Sequence, residues 1–564
     1  MDMQVVETGV LVIGGGAAAV RTALAASAAN VDTILISKGP IGKSGATPMA
    51  GGAVALPIGD PRDNSEVYYR DHMKAGRGLA DPDLARVQTE DAATRVLEMV
   101  DYGVNFLRKD GRFVFSREPG HSYRRNLRTL QGGVSMINPL RKFARGISNL
   151  RIYEDMMAIH LLVGDNGAQG ALALDLHSGD LVAFLAQATV LATGGYQDLY
   201  PISDAGSDAT GDGYAMAYQA GAALIDMEML LYYPSVIVYP YSARGVLVSY
   251  EYFLHPNGLD GRIVDADGVD LLAGRELPMR DEMARFIFDA VGAGRGTKHG
   301  GVYIDLSLSR LSPEEQEQRI KLRPAHVAYL NSLGVPVVNS RLEVAPAAHY
   351  VLGGIKINRR CETSVPGLFA VGEVAGNLHG ANRLAGTAIT ETQVFGCRAG
   401  HFAALLASDA PRPKLSSDSL EEGTALVRRL SEPRTRPRDP IDIKQSIRVA
   451  MLEFAGPNRD GARLATGIRI MQGIVEEEIP RLYAASAPSV YNSALVEALE
   501  AQLMAQTAQL VLRSALERQE SRGHHYRADF PCEGSGLAFH TVVRNVSGLM
   551  DISRELVLRS EADA

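Results

Sequence analysis

The spacing of apolar and polar positions changes abruptly near the amino terminus. Gly9 to Ile13 form a short, continuous apolar run that stops at Gly14-Gly-Gly16, the pattern of a strand buried on both faces. Ala17 to Ala29 then carry apolar residues at helical spacing, and Thr33 to Ser37 return to a short apolar run. The sequence therefore predicts strand, tight turn, helix and strand in that order. A second apolar run ends at Thr193-Gly-Gly195, followed by Thr210-Gly-Asp-Gly213 and a helical stretch from Tyr214 to Ala222.

From about residue 236 to residue 344 the pattern becomes short strands and turns, with a charged helical stretch from Pro313 to Arg323. Ser408 to Ser419 is rich in Ser, Pro and Asp and reads as a linker. Beyond it, Leu420–Leu430, Ile441–Phe454, Leu464–Leu482 and Val490–Glu517 have helical periodicity and predict a helical domain. The chain shows no internal repeat.

The first turn has the makings of a phosphate site. Gly14 and Gly16 permit a tight turn and close approach of a pyrophosphate, which the unpaired N–H groups of the following helix would stabilise. Ala19 stands at the third glycine position, where only close helix-to-strand packing is required. The acidic residue usual at the end of the second strand is absent, and Ser37-Lys38 takes its place.

Composition narrows the function. A chain of 564 residues, 46% hydrophobic, can bury a large core and should divide into several domains. The net charge of -8 arises from 65 acidic and 57 basic residues without a long single-sign block, which gives nucleic-acid binding no support. Small anionic substrates would instead be drawn by local Arg and His groups. Cys361, Cys397 and Cys532 are too few and too scattered for an iron-sulfur or zinc framework, so no metal site is expected and a reducing cytoplasm is the simpler setting. Asp2 and Glu7 precede an apolar run that lacks a basic leader and is broken by Gly14 to Gly16, which argues against a secretory signal and direct membrane insertion.

Three motifs carry a wider resemblance: Val10-Leu-Val-Ile-Gly-Gly-Gly-Ala-Ala-Ala19, Leu368-Phe-Ala-Val-Gly-Glu-Val-Ala375 and His379-Gly-Ala-Asn-Arg-Leu-Ala-Gly386. With Glu520-Ser-Arg-Gly-His-His525 they resemble the fumarate reductase, succinate dehydrogenase and L-aspartate oxidase flavoproteins, in which FAD is held from both ends of the sequence. The resemblance implies an α/β fold: a Rossmann-like FAD-binding domain in two pieces (1–235 and 345–405), an inserted α+β capping domain (236–344), a helical domain (406–520) and a carboxy-terminal segment (521–564).

It also implies a site. The cofactor set is Gly14, Gly15, Gly16, Ala17, Ala18, Ser37, Lys38, Ser44, Gly45, Ala46, Gly51, Gly52, Thr193, Gly194, Asp212, Glu373, Arg383, Ala388 and Ile389. Glu373 matches the contact to the FAD ribose, and the N–H groups of Ala388 and Ile389 match donors to the flavin edge. Arg280 matches the proton donor, with Asp281 or Glu282 as an undecided relay; His349 and Arg383 match the groups that bind one substrate carboxylate. Gly120-His-Ser-Tyr-Arg-Arg125 resembles a loop near the flavin in aspartate oxidases and equally fits a basic surface turn.

Departures from the family pattern are as informative. Gly45 occupies the position of the histidine that bonds FAD covalently in succinate dehydrogenase, which implies noncovalent, dissociable FAD. Tyr233 replaces a histidine for the second carboxylate, Ser249 keeps a hydroxyl, and Tyr250 replaces a carboxylate. The expectation is a FAD-dependent enoate reductase or dehydrogenase acting on a carboxylate other than plain fumarate or succinate. An amino-acid oxidase, or an electron-transfer subunit docking an iron-sulfur partner, are the alternatives.

Overall fold

The computed structural model describes residues 3–321, 324–484 and 490–557. The first unit forms as the apolar pattern requires: strand Gln4–Ile13, helix Ala17–Ala28 and strand Thr33–Ile36. Val10, Leu11 and Val12 are fully buried, as expected of a parallel strand covered on both faces. The strand pairs in parallel with Thr33–Ile36 on one side and Leu181–Leu191 on the other. Leu150–Tyr153 extends one edge of this seven-stranded sheet. On the opposite edge, Leu181–Leu191 pairs antiparallel with Gly167–Asp175 through its first half and parallel with Leu368–Ala370 through its last three residues. A segment far downstream in the sequence thereby joins the first strand's sheet.

Strands Leu230–Tyr239 and Arg341–Val351 pair antiparallel and lead from this body into a smaller sheet completed by Val302–Asp305 and Arg262–Val264. The two hydrophobic cores meet inside these long strands. Leu230, Tyr232, Ala348 and Val351 belong to the large core, whereas Tyr233, Ile237, Leu342 and Val344 belong to the second. The change of core thus precedes residue 236 on one strand and spreads over residues 344–348 on the other, and the ladder between the strands shifts register there, between Tyr233 and Val236. The charged helix here is Pro313–Ile320, closed at its start by a Ser312–Glu315 capping box; Leu322 and Arg323 of the expected stretch lie outside the described residues.

The expected linker is shorter in the structure. Helix Thr387–Asp409 runs through Ser408, and the next helix, Ser417–Ser431, begins after Ser416, whose hydroxyl accepts from the Ser419 N–H. Serine and aspartate at a helix end act as caps as readily as loop residues, which is why composition overstates the gap. Helices Pro440–Ala455, Gly461–Gly473 and Ser493–Glu517 follow. The periodic stretch to Leu482 ends its regular helix at Gly473 and finishes in a wider turn and a short tight turn holding Pro480.

The carboxy-terminal signature is buried. Arg518 is fully enclosed and bridges Asp226 (2.8 Å), Glu228 and Glu520 (2.9 Å). Hairpin Phe539–Val546 and Leu549–Leu556 then pairs with Leu224–Ile225, returning the chain end to the large core. Among the described residues, no helix is long and apolar enough to cross a membrane, and no group of three or more His, Cys, Asp or Glu is placed to hold a metal ion.

Candidate functional site

The parallel strands aim their carboxyl ends at one place. Gly14–Gly16 follows Gln4–Ile13, Ser37-Lys38 follows Thr33–Ile36, Thr193-Gly194 follows Leu181–Leu191, and Glu373 follows Leu368–Ala370. In open parallel sheets this edge is where ligands bind. Every cofactor residue expected from the sequence, from Gly14 to Ile389, lines one cavity of about 350 Å³, together with Arg280, His349, Arg383, Tyr233 and Ser249.

The residues that line the cavity suit the phosphates of a dinucleotide. Gly14 has φ +138°, and a Cβ there would stand 2.1 Å from the Ala192 carbonyl oxygen, so only glycine permits the turn. Gly16 gives helix Ala17–Ala28 no side-chain cap; Thr47 Oγ1 accepts from the Ala17 N–H at 3.1 Å, and Ala17 and Ala18 line the cavity at the helix start. Helix Thr387–Asp409 starts uncapped from Gly386 at φ +85°, presenting Ala388 and Ile389 to the same space.

At one end of the cavity, Lys38 donates to Thr210 (3.0 Å), Asp212 (3.0 Å) and Glu500 (2.7 Å). Burial opposes its charge, but the two carboxylates outweigh that and hold the ammonium above its ordinary value. Glu500 comes from the helical domain, and no local pattern announces a partner 462 positions away. Glu373 is buried, accepts from the Val351 N–H (2.9 Å) and the Gln197 amide, and is pushed up to about 8, chiefly by burial.

The other end assembles the reactive groups. Arg280 opens helix Arg280–Ala290, and its Nε donates to Glu251 Oε1 at 2.9 Å. Burial works against the guanidinium charge, while Glu251 and the adjacent tyrosines more than offset it, holding Arg280 above its ordinary value. Tyr233 donates to Glu251 Oε2 at 2.9 Å, and Ser249 donates to the same oxygen at 3.3 Å. Sequence reasoning misses Glu251. Tyr250 does take the position where the family pattern has a carboxylate, but the carboxylate stands one residue later, in the short helix Tyr250–Leu254.

Tyr250 itself is outside this cavity. Its hydroxyl donates to the Pro278 carbonyl (3.0 Å), and it borders a neighbouring cleft of about 1500 Å³ that Arg280 and Arg383 also touch. Asp281 and Glu282 are not positioned as relays to Arg280. Asp281 faces Arg77 (3.6 Å) and Arg285 (3.7 Å), one helical turn on, and Glu282 is exposed.

His349 lies on strand Arg341–Val351, with Nδ1 2.6 Å from Asp204 Oδ2 and Nε2 3.3 Å from Arg383 Nη2. Asp204 is also missed; its only sequence signal is a polar turn preceding Thr210-Gly-Asp-Gly213. Arg383 is buried, stacks over the Tyr350 ring at 4.4 Å and donates to the Leu384 carbonyl, yet its Nε has no hydrogen-bond partner among the described residues. Burial lowers its affinity for the proton, with Tyr350 opposing and Arg280 adding to that effect. A buried guanidinium N–H left unpaired beside a cavity calls for an acceptor from a ligand.

In the segment from Gly120 to Arg125, His121 and Arg125 turn inward while Gly120, Ser122 and Arg124 stay exposed. His121 Nε2 contacts the Ala385 carbonyl (2.9 Å), Ser122 binds Asp71, and Arg125 is fully buried against Asp63 and Asp71. It supports the turn that carries Arg383.

The FAD binding domain family model matches residues 9–389, and the fumarate reductase flavoprotein C-terminal model matches residues 444–555. A CoM/CoB fumarate reductase subunit of Methanothermobacter marburgensis is 37% identical, with 94% of this chain and 96% of that protein covered. An L-aspartate oxidase of Streptomyces coelicolor is 30% identical over 92% of this chain and 88% of its own length. Among solved structures, Mycobacterium smegmatis Sdh1 in complex with UQ1 superimposes with a TM-score of 0.89 at 30% identity, covering 99% of this chain and 96% of that one.

Proposed function

The chain belongs to the fumarate reductase, succinate dehydrogenase and L-aspartate oxidase flavoprotein family, and on that premise we propose that this FAD-dependent oxidoreductase reduces or forms a carbon-carbon double bond beside a carboxylate, on an acid larger than fumarate or succinate. The observation that carries this reading is the buried, unpaired Nε of Arg383, in one cavity with His349 and Arg280.

FAD, held by the glycine turn, the two helix starts and the Lys38 end of the cavity, supplies the hydride chemistry. Arg383 and His349 bind the substrate carboxylate and orient the neighbouring carbons. Arg280 holds a proton for the adjacent carbon, and Glu251 keeps the guanidinium fixed while exchanging that proton through Nε. An arginine is ordinarily too basic to act as an acid. Here burial and the opposed carboxylate place it against the reacting atoms, where positioning counts for more than bulk acidity.

The far end of the substrate is where this chain departs from dicarboxylate chemistry. The Tyr233 and Ser249 hydroxyls already donate to Glu251, so a second substrate carboxylate there would find neither hydroxyl free to donate and would lie beside the Glu251 carboxylate. A buried charge left unpaired costs several kcal/mol. An aromatic or amide-bearing end suits the tyrosines, and the adjoining cleft provides the space. The segment carried by the second core serves as the cap that excludes water.

Gly45, at φ +72° with open space around an added Cβ, carries no group to bond the flavin, so the cofactor is noncovalent. An electron-transfer partner, iron-sulfur or otherwise, is in keeping with the relative named as a subunit. The three free cysteines suit a reducing, cytoplasmic setting. A second reading, oxidation of an amino acid, is favoured by the L-aspartate oxidase relative and by Glu251, whose carboxylate suits an ammonium group.

Steady-state assays with reduced viologen and a panel of unsaturated acids test the first reading. Turnover with an aryl acrylate that disappears in Arg280→Ala supports it; hydrogen peroxide formation from L-aspartate, without reduction of any acid, replaces it with the second.

A further inference from the structure

We propose that Asp204 is a positioning residue that makes His349 the proton-accepting half of the carboxylate clamp, so that a substrate carboxylate binds together with one proton. The proposal rests on the reading that Arg383 and His349 hold that carboxylate.

The geometry defines the hydrogen positions. His349 Nε2 faces Arg383 Nη2 at 3.3 Å, and a guanidinium nitrogen can only donate. Nε2 is therefore the acceptor, and the ring proton sits on Nδ1, which donates to Asp204 Oδ2 at 2.6 Å. Asp204 is held in place for this task. Ser203 forms a parallel bridge with Ala348, and the Ala348 N–H donates to the Ile202 carbonyl at 3.0 Å, tying the turn to the strand that carries His349. The Asp204 side chain is only 9% exposed.

A substrate carboxylate has acceptors only. When it takes the free N–H groups of Arg383, its oxygen meets the bare lone pair of His349 Nε2. A proton on Nε2 converts that repulsion into a charge-assisted hydrogen bond and leaves the imidazolium donating to Asp204 on its other side.

The charges around the ring agree. Asp204 comes from the turn before Thr210, Arg383 from the turn before Gly386, and Arg280 and Glu251 from the capping side, so two cations face two anions. Tyr233 packs its ring 5.5 Å from His349 and is neutral, Gln197 donates to the His349 carbonyl, and Glu373 is kept largely protonated at neutral pH by burial. The arriving carboxylate adds one negative charge, and a proton on His349 restores neutrality. Asp204 thereby does for His349 what the buried aspartate does for the histidine of a catalytic triad: it fixes the tautomer and stabilises the cation.

The test is calorimetric titration of the FAD-loaded protein with succinate, malonate and 3-phenylpropionate near neutral pH, in buffers of different ionisation enthalpy. The expected result is net proton uptake when the acid binds, with affinity falling as pH rises. Asp204→Asn, checked for flavin content and melting temperature, should lose the uptake and bind about tenfold or more weakly, and Asp204→Glu should restore part of both. Binding without proton uptake by the unmodified protein overturns the proposal and leaves the clamp intact; so does undiminished uptake in Asp204→Asn. Failure of all three acids to bind removes the clamp itself. The unmodified protein decides the matter even if the variant does not fold.

Discussion

Arg280 Nε donates to Glu251 Oε1 at 2.9 Å, and the same carboxylate collects the hydroxyls of Tyr233 and Ser249 on its other oxygen. Glu251 thus couples the proposed proton donor to the residues that shape the far end of the substrate.

Glu251→Gln should lower the rate of double-bond reduction by about 10²–10⁴-fold, the range for loss of a positioned proton-transfer group. Flavin content and reoxidation of the reduced flavin by ferricyanide, which needs no proton delivered to carbon, should be unchanged. Stopped-flow traces with each oxidant check this; equal losses with both would mean that Glu251 supports the flavin site generally.

Acid precipitation of the purified protein should leave its flavin in the supernatant, because Gly45 offers no nucleophile at the position where the resemblance to succinate dehydrogenase implies a flavin-bonding histidine. Yellow colour retained in the washed pellet, or a fluorescent band after denaturing electrophoresis, would show a covalent bond formed elsewhere.

Glu373 should make the flavin-free fold lose stability as pH rises. A carboxyl raised by burial from 4.5 to about 8 binds more protons folded than unfolded between those values. Its contribution is therefore flat below pH 4.5, falls through the window and levels above about 8. Melting temperatures of the apoprotein across this range should decline less in Glu373→Gln than in the parent; parallel curves would exclude Glu373 as the source.

Arg518 should matter for stability more than for chemistry. It is fully buried among Asp226, Glu228 and Glu520, and removing one partner of such a cluster leaves uncompensated charge, at a cost of about 3–5 kcal/mol. Urea unfolding of Arg518→Met measures this. A shift under about 1 kcal/mol would indicate that the carboxylates take up protons instead, as buried acids do.

Much of the fold can be read because its elements are local. The glycine turn, the helix after it and the four carboxy-terminal helices follow from apolar spacing over a dozen residues or so. Helix ends are less legible: Ser408 and Ser419 sit inside helices although their composition suggests a loop. The site is legible where a motif carries the side chain, as for Arg383 beside Gly386 or Glu373 after its strand. It is not legible where function depends on contacts between distant segments. Asp204 meets His349 across 145 positions, and Lys38 meets Glu500 across 462. Glu251 is obscured by a single-residue offset from the expected carboxylate at Tyr250.

The most direct measurement is a single turnover: reduce the bound flavin without oxygen, then follow its reoxidation by fumarate and by larger unsaturated monocarboxylates, including aryl acrylates. The account predicts fast reoxidation by one of the larger acids, little by fumarate, and a reversal toward fumarate in Tyr233→His, which restores a donor for a second carboxylate. Reoxidation by oxygen alone, with every acid inert, would contradict it.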